Sequence, residues 1–269
     1  MSDSSLPPPP PLQDPGLIER IHCLWDELAA IEASENESAL MHLLRTVAEM
    51  IDAQNAYWME AVQMTRAMAD PLCGWRPMVI RYLQPLPMDE RFTQRRMRAI
   101  RSGEIDESTV AQARLAGTFR AHRLRDIVPA AWYKTEFYQS YRDRGIHDSL
   151  TVGVPINAMT EGYYGFLRMR EGEPFTEKQL QVAHYAMRGL TWFHRQVLLA
   201  HGVTVAGTPL TPRERELLAL LLTDRPEKLI AEELGVTTAT VHTYVRQLLR
   251  KLGVSGRNGL ISLWLGRPA

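Results

Sequence analysis

The segment that most constrains this chain runs from Thr237 to Leu252 and contains neither aspartate nor glutamate. Its apolar side chains recur at the spacing of one helical face, which predicts a helix with one buried side. These apolar residues are Val241, Val245, Leu248 and Leu252. The opposite side carries His242, Thr243, Arg246 and Arg250. Such a helix exposes hydrogen-bond donors and positive charge but no carboxylate.

A strong helix start precedes this segment. Thr211 can cap a helix with its hydroxyl, and Pro212 occupies the first helical position, where a missing N–H costs nothing. Glu214 can reach back to the Thr211 amide and complete a capping box. Residues 210–269 therefore predict an all-α domain of four short helices, of which this is the first.

The second and third helices are bounded by similar signals. Asp224 and Glu227 repeat the cap spacing around Pro226, and Gly235 provides the left-handed turn that ends the second helix. Thr237 can cap the third helix.

Two helices joined by a tight glycine turn, the second without carboxylates, have the form required to enter a DNA major groove. The alternative is a stable helical bundle whose basic face is only solvated. Caps, turn glycine, apolar spacing and the acid-free face agree with one another, and this agreement favours DNA binding.

The segments LTPRE, EKLIAEELGV and TATVHTYVRQLLRKLGV resemble the LuxR/GerE-type helix-turn-helix domain of bacterial transcription regulators over residues 210–265. The resemblance implies base contacts from His242, Thr243 and Arg246. It also implies phosphate-facing or supporting roles for Lys228, Thr238, Tyr244, Arg250, Lys251 and Arg257.

Three positions depart from the usual pattern of that family. Tyr244 stands where a histidine is common, His242 where a lysine or arginine is common, and Pro226 where a serine or threonine often caps. The departures leave the operator sequence open.

Charge divides unevenly along the chain. Lys+Arg and Asp+Glu number 31 each, yet the DNA-binding-like segment 208–269 is net positive and residues 1–207 are net negative. Cys23 and Cys73 are too few for a disulfide framework, and no spacing indicates a metal site or another cofactor. No signal segment or membrane span is evident, so a cytoplasmic protein of about two domains is expected.

The N-terminus opens with five prolines at 7–11, and we expect residues 1–15 to be a disordered, extended arm. A ligand for a proline-recognition module is the alternative. Residues 16–33 follow as an amphipathic helix, in which the apolar positions are Leu17, Ile21, Leu24, Leu28 and Ile31.

Residues 16–200 predict an α+β domain, an antiparallel sheet with flanking helices. A second helix is expected at 37–52 and strands at 55–64, 75–83, around 150–156 and 163–170. Segment 88–124 reads as basic and helical, and its Arg95, Arg96, Arg98 and Arg101 are expected to be a solvated face or, alternatively, a phosphate contact. Residues 130–142 read as a short aromatic helical region, and Thr176 with Gln179 opens one long helix that reaches Val197.

This order of elements is similar to GAF/PAS-like sensory domains and to the autoinducer-binding domains that precede LuxR-type modules. Acyl-homoserine-lactone receptors carry a Trp, a Tyr four residues later and a downstream Asp-Pro. Here Trp58 and Asp70-Pro71 are present, but Val62 holds the Tyr position, which argues against a lactone. Residues 201–209 are expected to be the linker.

Aromatic residues concentrate between positions 55 and 170 and favour a pocket for a small-molecule effector, with core filling as the alternative. The candidates are Tyr57, Trp58, Trp75, Tyr82, Trp132, Tyr133, Phe137 and Tyr164.

No GxSxG, HExxH, P-loop or GxGxxG motif is present, so no catalytic residue is predicted and the protein is not expected to be an enzyme. The sequence favours a ligand-responsive DNA-binding regulator. A sensory or enzyme-like domain, whose helix-turn-helix module only localises it, is the alternative. Because one recognition helix covers few base pairs, a homodimer is expected. Its candidate seams lie in the 17–31 helix, the long helix, and Leu260, Leu263 and Trp264.

Overall fold

The computed structural model describes residues 6–64, 70–86, 105–201 and 210–265. The N-terminal half begins with two helices and two strands: α1 (Pro15–Ala30), α2 (Asn36–Met50), β1 (Asn55–Gln63) and β2 (Trp75–Tyr82). It continues with α3 (Glu107–Arg114), β3 (Arg120–Arg123), α4 (Leu124–Ile127) and α5 (Glu136–Asp143). It ends with β4 (Asp148–Asn157), β5 (Thr160–Arg168), α6 (Glu177–Arg188) and α7 (Thr191–His201). Four helices follow: α8 (Pro212–Leu221), α9 (Glu227–Leu234), α10 (Thr238–Lys251) and α11 (Arg257–Trp264).

The strands form one antiparallel sheet in the order β2-β1-β5-β4-β3. The hairpin of β4 and β5 lies inside the sheet, and β1 pairs with β5 so that Tyr57 faces Gly165 and Glu60 faces Gly162. With α6 packed on β3 and β4, the described chain has the α+β fold that the sequence predicts, followed by a helical C-terminal part.

The chain divides into two compact units. One unit comprises Met1–Leu24 and Leu43–Gly189, and the other comprises Trp25–His42 and Leu190–Ala269. Helix α7 and the segment around the start of α2 therefore group with the C-terminal helices. Within that second unit Trp264 packs with Leu199 and Ala200.

The prediction of one long helix after Thr176 is wrong in one respect, because the structure has two helices there. Thr176 and Gln179 do form the predicted capping box, in which the Thr176 hydroxyl accepts from the Gln179 amide at 3.3 Å. Gly189 then caps the end of α6, and α7 begins at Thr191. Glycine is a poor helix former, and its capping position here accounts for the break.

The proline-rich arm differs from the expectation of a free tail where the structure describes it. Residues 6–14 have no regular secondary structure, but the Leu12 side chain is buried. Asp14 accepts from the Leu17 amide at 3.1 Å and pairs with Lys178 at 2.9 Å. These contacts attach the end of the arm to its own unit.

Some predictions fall on residues outside the described ranges. They include the Arg95, Arg96, Arg98 and Arg101 cluster and most of the expected linker, residues 202–209. The helix predicted for 88–124 lies partly there. In its described part the chain forms α3 and then the strand β3, so the helical prediction is wrong for residues 120–123. Within the described ranges, no helix has the length and apolar character needed to cross a membrane.

Candidate ligand cavity and DNA-binding helix pair

A cavity of about 310 Å³ lies against one face of the sheet. Alternate residues of β1, such as Tyr57 and Met59, point to this face, since successive side chains of a strand point to opposite sides. Helices α3 and α5 contribute the facing residues, including Gln112 and Tyr141. Most of the lining is apolar or aromatic, with a few polar groups, as is usual for small-molecule sites.

Tyr57 occupies its place because β5 has a glycine opposite. A Cβ atom added at Gly165 would lie 2.1 Å from the Tyr57 ring, a distance that no real pair of atoms tolerates. The Tyr57 ring also packs against Tyr82, with ring centroids 5.6 Å apart. Burial raises the pKa of both the Tyr57 and the Tyr141 hydroxyl, the latter to about 12, so both phenols are neutral donors at physiological pH.

A buried ion pair links Arg120 on β3 to Glu161 on β5. The Arg120 guanidinium donates to both oxygens of Glu161, at 2.9 and 3.1 Å, and to the Tyr163 hydroxyl at 3.0 Å. It also donates to the Thr118 carbonyl at 2.8 Å. A Cβ at Gly153 would lie 2.6 Å from the Arg120 guanidinium carbon, so a larger residue there would have to displace the guanidinium from its ion pair with Glu161. Removing one partner would leave a buried charge, a change that typically costs several kcal/mol.

His122 lies on the same strand as Arg120 and lines the cavity. Its Nε2 atom is 2.8 Å from Nε2 of Gln112 on α3. Burial, with the nearby positive charge of Arg120, lowers the pKa of His122 to about 3. The imidazole is therefore neutral at physiological pH.

The structure brings only some of the predicted aromatic residues to the cavity. Tyr57, Trp75 and Tyr82 line it. Trp58 and Tyr164 are buried on the other face of the sheet, where they pair across β1 and β5. The remaining three, Trp132, Tyr133 and Phe137, do not line the cavity but pack in an apolar cluster that borders it through Leu124.

The period of a strand already forbids Tyr57 and Trp58 from sharing one pocket, so this correction was available from the sequence. The lining residues His122, Gln112, Tyr141 and Tyr163 were missed. His122 was missed because β3 was read as helix, and a four-residue strand gives little periodicity.

In the C-terminal helices, α9 and α10 form the predicted helix-turn-helix. Gly235 has φ 64° and ψ 34°, the left-handed conformation that ends α9. The Thr237 hydroxyl accepts from the Thr240 amide at 3.2 Å and caps α10. Ala231 is buried in the core that α9 shares with the neighbouring helices. One expected cap is absent, because Pro226 rather than Asp224 precedes α9 and offers no side-chain oxygen.

The helix α10 turns one face inward and one face outward. The four apolar residues of its predicted stripe are buried in a core with residues of α8, α9 and α11. His242, Thr243, Arg246 and Arg250 are all exposed, as the period of 3.6 residues requires. Thr243, Arg246 and Arg250 also line a shallow groove with Gln247 and Ser255.

The comparison with known proteins agrees with this geometry. Residues 208–264 match the family described as bacterial regulatory proteins, luxR family. The C-terminal helices form a LuxR-type helix-turn-helix domain. This assignment applies to residues 208–264 and not to the rest of the chain.

Two relatives have names that describe regulators. The transcriptional regulatory protein MctR of Rhizobium johnstonii is 43% identical over 76 residues, which is 27% of this chain and 36% of MctR. The nitrate/nitrite response regulator protein NarL of Escherichia coli K12 is 32% identical over 111 residues, 38% of this chain and 50% of NarL. The chain thus spans between a third and a half of the length of these relatives.

A solved structure, that of Escherichia coli SdiA, covers 93% of this chain and 98% of its own. The identity is 12% and the TM-score 0.44. Similarity at this level defines neither a ligand nor an activity.

Two basic residues of the LuxR-type domain make contacts inside the protein. Lys251 pairs with Glu214 at 2.9 Å, and Arg257 donates to the carbonyl oxygens of Leu221 and Arg225, each at 2.8 Å. Partial burial acts to raise the pKa of Glu214, but its hydrogen bonds with Lys251 and with Thr211 lower that pKa overall. Both basic residues therefore stabilise the packing of α8 against α10 and α11.

The side chains of the two residues at the start of the outward face also have contacts. His242 Nδ1 is 3.2 Å from a carboxylate oxygen of Glu227, the first residue of α9. The Thr243 hydroxyl donates to the Ala239 carbonyl at 3.1 Å. Because its hydroxyl hydrogen is used in this bond, Thr243 can contact a base edge with its methyl group and its oxygen lone pairs.

Proposed function

We propose that this chain is a DNA-binding transcription regulator whose activity is controlled by a small molecule held in the sheet cavity. The observation that carries the DNA-binding part is the LuxR-type domain with its acid-free, exposed face on α10. The observation that supports control by a ligand is the cavity of about 310 Å³ in the other unit.

On the DNA side, α10 enters the major groove and His242, Thr243 and Arg246 contact base edges. Their exposure on one helical face supports this role. An arginine can donate two hydrogen bonds to a guanine, which distinguishes that base pair from the others.

Phosphate contacts come from residues around this face. Four of the predicted residues are exposed at the surface of the domain: Lys228, Thr238, Tyr244 and Arg250. Lys251 and Arg257 support the domain through the internal contacts described above, and any phosphate contact they make must compete with those contacts.

The effector binds among the apolar and aromatic residues of the cavity, of which Tyr57, Trp75 and Tyr82 are the sequence-predicted members. Buried apolar lining with few polar groups suits a compact, largely apolar molecule. Binding in one unit can alter DNA binding by the other through a coupling free energy of typically 1–3 kcal/mol.

The regulator acts on DNA as a homodimer, because two recognition helices related by a two-fold axis read two half-sites. The apolar residues expected as seams, such as Ile21, Leu180 and Leu260, are buried within the chain. On α11, Ile261 is 40% exposed, and Leu265 beyond it is 63% exposed. These two side chains are the better candidates for a dimer contact.

Selection of bound sequences from random double-stranded DNA by the full-length protein tests the proposal. We expect the wild type to enrich a two-part motif, and Arg246→Ala to lose preference at one position of each half. The matched control, Arg250→Ala, should weaken binding evenly across sequences. Enrichment of no motif would contradict sequence-specific DNA binding.

Control by a ligand is tested on the same protein. Small molecules that copurify are extracted and identified by mass spectrometry, and DNA binding is measured before and after their removal. A change in DNA affinity of about fivefold or more on removal is expected from a coupling of that size. Equal affinities would refute control by the extracted compound.

A further inference from the structure

One carboxylate contacts the outward face of α10. The Nδ1 atom of His242 is 3.2 Å from a carboxylate oxygen of Glu227, the first residue of α9. Among the described residues this is the only carboxylate that contacts the face formed by His242, Thr243, Arg246 and Arg250. A negative charge there repels the phosphates of DNA, so a contribution of Glu227 to recognition has to act through the histidine.

Helix packing places the two side chains beside each other. Glu227 lies four residues before Ala231 on α9, and residues four apart share one helical face. Ala231 is buried in the core that α9 shares with α10, and Val241 of that core directly precedes His242. The pair therefore lies at the border of the helix contact, with 62% of the His242 side chain and 35% of the Glu227 side chain exposed. The buried core sets where the two residues meet.

The carboxylate determines which ring nitrogen of His242 carries the proton. An ionised carboxylate only accepts hydrogen bonds, so Nδ1 has to be the donor in this contact. A neutral imidazole has one protonated and one unprotonated nitrogen, and its Nε2 atom is then the acceptor. Nε2 makes no hydrogen bond with any residue that the structure describes, so it is available to a base.

An acceptor on this face recognises a different base group from a donor. In the major groove the donors are the exocyclic amino groups, N6 of adenine and N4 of cytosine. The acceptors are N7 of the purines, O6 of guanine and O4 of thymine. Arg246, on the same face, can only donate. His242 with a free Nε2 acceptor therefore complements Arg246, because it can bind an amino group that the arginine cannot.

We propose that Glu227 is a positioning residue that keeps the proton of His242 on Nδ1, so that Nε2 accepts a hydrogen bond from the amino group of an adenine or a cytosine. The inference rests on the proposed function, because it takes His242 as a base contact. It adds the chemical group that His242 recognises, and a residue outside the recognition helix that sets this choice.

The test first locates the base pair that His242 reads. Selection from random double-stranded DNA by the full-length wild type and by His242→Ala identifies the position at which the variant loses its preference. Two modified operators are then made at that position. One lacks the amino group, with purine in place of adenine or 2-pyrimidinone in place of cytosine. The other lacks the exocyclic oxygen of the partner base.

Removal of the amino group should weaken binding of the wild type roughly three- to tenfold more than binding of His242→Ala, the contribution of one neutral hydrogen bond. Removal of the oxygen should affect the two proteins alike. Each modified duplex also loses a base-pairing hydrogen bond, but that loss is the same for every protein tested.

Glu227→Ala should reduce the penalty for the missing amino group, because the imidazole can then carry its proton on Nε2. Glu232→Ala, the same change at an exposed position of the same helix, is the matched control and should keep the full penalty. Both variants lose one negative charge and should bind every duplex somewhat more tightly. The penalty, and not the affinity, is therefore the readout.

If Glu227→Ala does not fold, nitrogen-15 NMR of the wild type decides the matter. The spectrum is recorded at pH 8, on the alkaline side of the range in which histidines usually titrate. Nδ1 of His242 should be protonated and Nε2 should not.

Three results would overturn the inference. Equal penalties in the wild type and in Glu227→Ala would mean that the carboxylate positions nothing. A penalty for the missing oxygen instead of the amino group, or a proton on Nε2, would mean that His242 donates. An unchanged motif in His242→Ala would mean that His242 reads no base, although a motif that still requires Arg246 would leave the proposed function standing. Enrichment of no motif by the wild type would refute the proposed function, and the inference with it.

Discussion

Glu60 gives the sharpest test of the sheet. It lies on β1 between cavity-facing Met59 and Ala61, so its carboxyl points to the opposite face. It is fully buried, and neither carboxylate oxygen has a hydrogen-bond partner. Burial raises the pKa of Glu60 from 4.5 to about 8. The folded protein therefore holds this carboxyl in its protonated form at neutral pH.

The sign of the effect follows from proton linkage. Below pH 4.5 the carboxyl is protonated in both the folded and the unfolded state. Between pH 4.5 and about 8 only the folded state keeps the proton, so stability falls as pH rises. One proton corresponds to about 1.4 kcal/mol per pH unit, or about 3 kcal/mol between pH 5 and 7.

Glu60→Gln removes the titrating group and keeps its shape. We expect the free energy of unfolding of the wild type to fall with pH by about 1.4 kcal/mol per unit more than that of E60Q. Urea unfolding of the full-length chain at pH 5–8, followed by circular dichroism, measures both slopes. Hydrogen exchange of the β1 amides identifies the unit that responds. Glu173→Gln, an exposed change in the same unit, is the control.

Parallel pH profiles for wild type, E60Q and E173Q would refute the reasoning. They would mean that water or a polar neighbour solvates the Glu60 carboxylate.

Three further outcomes are expected. Gly165→Ala should displace the Tyr57 ring, destabilise its unit by about 1–3 kcal/mol and weaken the binding of any ligand in the cavity. Thermal unfolding with and without the extracted ligand would measure both effects. Arg257→Ala should lower the stability of the LuxR-type domain by about 1–3 kcal/mol, because the carbonyl oxygens of Leu221 and Arg225 lose a charged donor. Unfolding without DNA separates this effect from a phosphate contact. Arg246→Ala should leave that stability unchanged and cost about 1–3 kcal/mol of discrimination at one base pair, measured by competition between operator variants.

The sequence by itself determined the C-terminal helices. The capping box of Thr211 and Glu214, the left-handed Gly235 and the cap at Thr237 all act within a few residues of their own position. Local signals of this kind are complete in the sequence, and the buried stripe of α10 then follows from the helical period. The one local error, a cap at Asp224, arose because Pro226 fixes the chain before α9 without supplying an oxygen.

Tertiary structure alone decided the cavity. Tyr57 can face it only because pairing of β1 with β5 places Gly165 opposite, more than a hundred residues away in the chain. His122 meets Gln112, ten residues earlier in the chain, because α3 folds back against β3. Glu60, on the opposite face of β1, is buried without a hydrogen-bond partner. Long-range strand register, which the sequence specifies only through the whole folded sheet, therefore determines the chemistry of the cavity, whereas local backbone preferences determine the DNA-binding helices.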